Sequence, residues 1–159
     1  MEQKNEHNAI RARRNYEILC RCLDEKGWQY TANAETMTVN IGFLGDDIPM
    51  PVVFIVDENC QVLRVASVIP FTVSHEHMID ICLAVTHTNG RLPFGTFVFD
   101  MEAGVISYRN STCFIDGDIG METIELLTDI ACTQIDRFND LFYAIEKGML
   151  SFEDFISIG

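Results

Sequence analysis

The sequence predicts an α+β fold of order α-β-β-β-α-β-β-α: a five-stranded antiparallel sheet with helices packed mainly on one face. Three observations carry this expectation. Residues 36–43 alternate apolar and polar side chains, the period of a half-buried strand. Further apolar runs follow across turns too short for a parallel crossover. Residues 9–26 and 119–147 instead repeat their apolar positions at helical spacing. A length of 159 residues fits one domain, 1–159.

The first helix is expected over 9–26. Ala12, Tyr16, Leu19, Cys20 and Leu23 share one stripe, and Gly27 stops it. By this stripe Cys20 belongs to the core and Cys22 is partly exposed. Trp28 and Tyr30 form a short extended lead. In 36–43, Met37, Val39, Ile41 and Phe43 occupy one face. Gly45-Asp46-Asp47 makes a turn into the apolar strand Pro51–Val56. Asp57-Glu58-Asn59 turns the chain into a third strand, Val62–Ile69.

A second helix is expected over 74–88, with Ser74 as its N-cap and Glu76 in its first turn. Its apolar arc runs through Ile81, Val85, Met78, Cys82, Ile79 and Leu83. The arc spans about 200°, against the roughly 100° that one core contact needs. Two explanations stand: a deeply sunk helix, or a helix with one face on the core and another on a second subunit. Asn89-Gly90 ends it. Phe94–Asp100 and Val105–Asn110 form a hairpin around Met101–Gly104, with Gly104 at positive φ. The last long helix carries Ile124, Leu127, Ala131, Ile135, Phe138, Phe142 and Ile145 on one stripe. At 28 residues it is roughly 42 Å long, so it crosses the whole sheet diagonally or projects beyond it. Ser151 caps a final turn, SFEDFI.

Net charge is −13. A negative field repels phosphate backbones and anionic lipid, so no nucleic-acid or membrane partner is expected. Residues 1–26 hold six bases against five acids, whereas 27–159 hold five against nineteen. Arg11, Arg13 and Arg14 lie in this one non-acidic segment, either as a solvated face or as a docking point for an acidic partner surface. The acids of the last helix (Glu122, Glu125, Asp129, Asp136, Asp140, Glu146) form its wet side or a landing surface for basic segments.

The polar N-terminus lacks a signal-peptide pattern, and no apolar run nears 20 residues. The expectation is a cytoplasmic chain whose six cysteines (20, 22, 60, 82, 113, 132) stay reduced. The Asn110-Ser111-Thr112 sequon then has no meaning.

Catalytic signatures are missing: no GxxxxGK[ST], no GxGxxG after a strand, no GxSxG, no HExxH. Asp57 and Asp100 sit where carboxylates cap turns. Cys20-x-Cys22 lacks the CxxC spacing of zinc or redox sites. His77, Asp80 and His87, with His75 near, resemble metal ligands by type. Yet His77 and His87 are about 15 Å apart along a helix, and His77 with Asp80 supplies two ligands only. No cofactor or metal is expected.

Two stretches bear a family resemblance. HTNGRLP followed by FGTFVFDMEAGVISYRNS (94–111) resembles the YbjN pattern: a strand ending in Asp100, a turn at Gly104, then a strand carrying Tyr108-Arg109. Gly27-Trp28-Gln29-Tyr30 after a helix and Val68-Ile69-Pro70-Phe71 after a meander agree with it, and the element order matches over 9–147. The resemblance implies the fold shared by that family and type III secretion chaperones, small, acidic and often dimeric. It carries no catalytic residue; Asp100, Gly104, Tyr108 and Arg109 enter as structural markers. The turn at 149–156 lies outside the pattern.

The expected function is therefore a non-catalytic protein-binding module, chaperone-like or regulatory, acting as a homodimer on a partner of unknown identity. Met78, Ile79, Cys82, Leu83 and Val85 are its candidate interface. The alternative is a small-molecule binder or an unrecognised enzyme with a pocket between the sheet and the long helix.

Overall fold

The computed structural model describes residues 2–45 and 48–158, with side chains from residue 6 onward. In chain order the elements are α1 (Glu2–Glu25), β1 (Tyr30–Asn33), β2 (Thr38–Leu44), β3 (Pro49–Asp57), β4 (Val62–Thr72), α2 (Met78–Asn89), β5 (Thr96–Asp100), β6 (Val105–Cys113), α3 (Met121–Glu146) and α4 (Phe152–Ile158). A single 3-10 turn, His75–His77, leads into α2. The strand order is β1-β2-β3-β4-β6-β5, antiparallel at every pairing.

The architecture is the expected one with one addition. The sheet has six strands rather than five, because the extended lead at Tyr30 pairs with β2, Tyr30 opposite Ile41 and Asn33 opposite Thr38. Its four residues, YTAN, bury no alternating face, so side-chain pattern carries no trace of it. The turn forms it instead. Asn33 Oδ1 accepts the backbone N–H groups of Glu35 and Thr36, and Met37 takes a positive φ of 49°.

Three local expectations change. The helix α1 starts at Glu2 rather than residue 9; its first turns are helix-forming but carry no apolar stripe to announce them. The two thiols exchange roles: Cys22 is buried at 1% exposure and Cys20 is half-buried. Asn15, also buried, bonds to Gly117 and Ile119 in the loop that leads into α3, and the Cys22 thiol meets the Met121 carbonyl at 3.8 Å. Ser74 is no side-chain cap, because its N–H and hydroxyl both donate to the Glu146 carboxylate, at 2.9 and 3.2 Å. Of the expected Gly45-Asp46-Asp47 turn, Asp46 and Asp47 lie outside the described residues.

One face of the sheet points Val39, Phe54, Val65, Tyr108 and Phe97 into the core, against Leu19 and Leu23 of α1 and the Ile124–Ile145 stripe of α3. The 26-residue α3 extends about 39 Å. Its stripe stays buried from Ile124 to Ile145, so the helix lies over the sheet along its length. The other face carries Asn40, Val53, Ala66, Val68 and Arg109, half-buried or exposed. Pro70 lacks the N–H that a ladder needs. Beside it the β4–β6 register jumps, from Val68 opposite Ser107 to Thr72 opposite Val105.

Gly95 has φ +69°, and an added Cβ would lie 2.0 Å from the Tyr108 hydroxyl oxygen. Gly95→Ala should therefore destabilise the fold by about 2–4 kcal/mol. Urea unfolding checks this: the midpoint should fall with the slope unchanged.

Candidate functional site

The second helix is held on three sides. Ile81, Ala84, Val85 and Thr88 face the core. On one flank Asn89 grips β5: its Nδ2 donates to the Phe97 carbonyl and its Oδ1 accepts the Phe97 N–H, both at 2.8 Å. On the other flank His87 meets Phe152 and Phe155 of α4, ring centroids 6.4 and 6.1 Å apart. At 100° per residue, the remaining side carries Ile79, Leu83 and Thr86. Ile79 is 65% exposed and Leu83 44%. These two apolar side chains sit one turn apart, so they form one ridge.

Of the five residues singled out on this helix, Ile79 and Leu83 lie on the outer ridge, and Met78 and Cys82 are half-buried beside it. Val85 is 6% exposed and packs beneath the helix with Ile81. The wide apolar arc thus divides into an inward half and an outward half.

The four hairpin markers separate in the same way. Asp100 Oδ1 accepts the N–H groups of Glu102 and Ala103, at 3.0 and 2.9 Å. Gly104 has φ +67° and sits so close to Val73 that an added Cβ would be 2.8 Å from its carbonyl oxygen. Tyr108 is fully buried and donates its hydroxyl to the Phe94 carbonyl at 3.0 Å. These three shape the hairpin. Arg109 is exposed on the open sheet face, where it lines a shallow depression with Arg64.

The chemistry-bearing residues elsewhere serve structure. Asp57 accepts the Cys60 N–H at 2.8 Å and pairs with Arg64 at 2.6 Å. That backbone hydrogen bond, ahead of the Arg64 charge, holds its carboxyl below the usual range. Burial pushes the Cys20 and Cys22 thiols up, which lowers their thiolate fraction and so their reactivity. Arg11 donates to the Ile115 carbonyl, Arg13 to that of Ala34, and Arg14 pairs with Asp118. The three arginines thus tie α1 to neighbouring loops of its own chain. On α3, Glu125 pairs with Lys26 at 2.8 Å and Glu146 binds Ser74, while Glu122, Asp129 and Asp140 remain exposed.

Between the sheet and α3 lies a cavity of about 210 Å³, lined by Ile48, Pro70, Phe71, Asn139, Asp140 and Tyr143. Asn139 is 4% exposed, and its Oδ1 has no hydrogen-bond partner among the described residues.

Three positioning residues escape a reading of the sequence. Asn15 accepts the Ile119 N–H at 2.7 Å; Glu146 holds the entry to α2; Asn89 seals β5. Each acts on a backbone group 8 to 104 positions away. A polar residue on an otherwise apolar stripe, as Asn15 is, was the one available signal.

A family model described as "YbjN: Putative bacterial sensory transduction regulator" matches residues 15–144. No curated protein sequence matches the chain. Among solved structures the chain is similar to YbjN of E. coli, described as a putative transcription regulator. Identity is 11% over 81% of this chain and 89% of that one, with a TM-score of 0.60. It is also similar to a chain of the ExsC–ExsE complex (13% identity, 80% and 92% coverage, TM-score 0.59). A third is from the HopA1–SchA chaperone–effector complex (13%, 74% and 85%, TM-score 0.51). At these identities the likeness is one of fold. The segment α4 lies beyond the matched span.

Burial, with Asp129 and Asp136 nearby, pushes the half-buried Cys132 thiol up to about 11 from an ordinary 9.0. The folded state therefore holds this proton more tightly than the unfolded chain. The resulting stability is complete below pH 9.0 and is lost as pH rises toward about 11. Cys132→Ala should flatten this part of the Tm-against-pH curve, which thermal unfolding across that range will check.

Proposed function

The chain belongs to the YbjN family, and from that premise we propose that residues 1–159 act as one non-catalytic protein-binding domain, chaperone-like or regulatory, that works as a homodimer. The observation that carries this reading is the outer ridge of α2. Ile79 and Leu83 stand exposed on a helix already anchored on its other three sides. A rigidly held apolar ridge loses little conformational freedom on docking, which favours association. Met78 and Cys82 would widen the contact; Val85 would support it from below.

Two of the similar structures are of complexes between one protein and another, ExsC with ExsE and SchA with HopA1. This supports a protein partner here as well. The exposed acids of α3 suit basic segments of such a partner. Six free thiols support a reducing, cytoplasmic setting.

A second reading is favoured by one observation, the cavity between sheet and α3 with the unpartnered Asn139 Oδ1. At about 210 Å³ it is below the roughly 300 Å³ at which drug-sized ligand pockets begin, which suits a fragment-sized ligand carrying one hydrogen-bond donor.

Size-exclusion chromatography with light scattering tests the first reading. The wild-type chain should run as a dimer. Leu83→Glu should run as a monomer with unchanged far-UV circular dichroism, since a buried carboxylate on the ridge has no partner. A wild-type chain that stays monomeric at high concentration overturns the dimer.

A further inference from the structure

We propose that the space enclosed by α2, α3 and α4 is a binding site for a compact oxyanion group, a free phosphate or a small carboxylate. The cavity measures about 70 Å³ and lies away from the α2 ridge and from the Asn139 cavity. One water needs roughly 10–15 Å³ of such space, so there is room for a group several times larger.

Two of the residues that line it carry buried polar atoms without partners among the described residues. Thr88 is 1% exposed, and its Oγ1 has no hydrogen bond to any described residue. Its neighbour His87 presents a buried Nε2 in the same condition. Buried polar groups are nearly always satisfied, and two adjacent orphans lining one cavity point to an occupant. Both can donate a hydrogen bond, the hydroxyl directly and the imidazole when Nε2 carries the proton.

The charge at the rim selects the occupant. Arg91 and Arg137 line the cavity, and among the described residues no carboxylate does, in a chain with 24 acids and 11 bases. The guanidinium of Arg137 lies 5.1 Å from the Phe138 ring centroid, which steadies its fork. Arg91 makes a further contact of its own; with five donors a guanidinium can serve two acceptors. Guanidinium forks fit carboxylate and phosphate oxygens in pairs. An anion seated here would lie beside these two donor-bearing residues, between two guanidinium groups. Phe155, 1% exposed, forms a wall, so the site depends on α4. That helix lies outside the family-matched span of residues 15–144.

The test titrates the full chain with inorganic phosphate and, separately, acetate, at constant ionic strength against chloride. The readouts are the His87 ring resonances and the unfolding midpoint. Saturable shifts with either ion are expected, and the ion that saturates at lower concentration names the class. Arg137→Gln should weaken binding about tenfold or more. Thr88→Val, nearly isosteric, should also weaken binding while leaving the ion-free midpoint unchanged or higher, because it removes an unpaired buried hydroxyl. Absence of saturation with both ions, or saturation unchanged in both variants, overturns the proposal. Leu83→Glu should leave these titrations unaltered, so failure of the dimer and failure of this site are distinguishable.

Discussion

Phe97 is the point on which the structure turns. It sits on β5, an edge strand of the sheet. Its ring meets Tyr108, Phe138 and Phe142 edge-on, with centroids 5.2, 5.7 and 5.2 Å away. Phe142 stacks in turn on Phe155 of α4 at 6.1 Å. Offset and edge-on pairs of this kind add attraction beyond the area they bury. On the other side of the backbone, Asn89 occupies both the N–H and the carbonyl of Phe97. One residue therefore joins the hairpin, α2, α3 and α4.

That clamp also closes an edge. An uncovered edge strand offers its backbone groups to any passing strand. Asn89 imitates a neighbouring strand at one residue, and α2 is thereby pinned along β5. With α4 on its opposite flank and the core beneath, the helix has a single direction left open. Its exposed leucine and isoleucine follow from how it is held. The same α4 that steadies α2 also closes the small basic cavity behind it, so surface and cavity are two sides of one packed layer.

The polar ties follow a common plan. Asn15, Glu146 and Asn89 each satisfy a backbone group at the entry to, or the edge of, another element. Buried polar groups without partners are costly, and here they fall where loops must be fixed relative to helices. The surface ion pairs, such as Lys26 with Glu125, are partly exposed, and pairs of that kind contribute little. Burial and these few hydrogen bonds carry the architecture.

The order of the main elements, the hairpin with its positive-φ glycine and the two faces of the sheet were legible in the chain alone. Each is encoded by period or by a turn residue, and both act over a few neighbouring positions. Asp57 and Asp100 were legible as turn caps for the same reason. What the chain alone left open was decided by contacts distant in sequence. The strand β1 has no side-chain pattern and exists because a turn presents it to β2. Cys22 rather than Cys20 is buried, with its thiol against the Met121 carbonyl at the start of α3. The wide apolar arc of α2 admitted two explanations, and the packing of β5 and α4 on its flanks separates Val85 from Ile79 and Leu83. The basic cavity unites side chains 87 to 155 from three helices, with no local spacing to mark it. Periodicity reports which side of an element is apolar; only the packed neighbours decide how much of that side they cover.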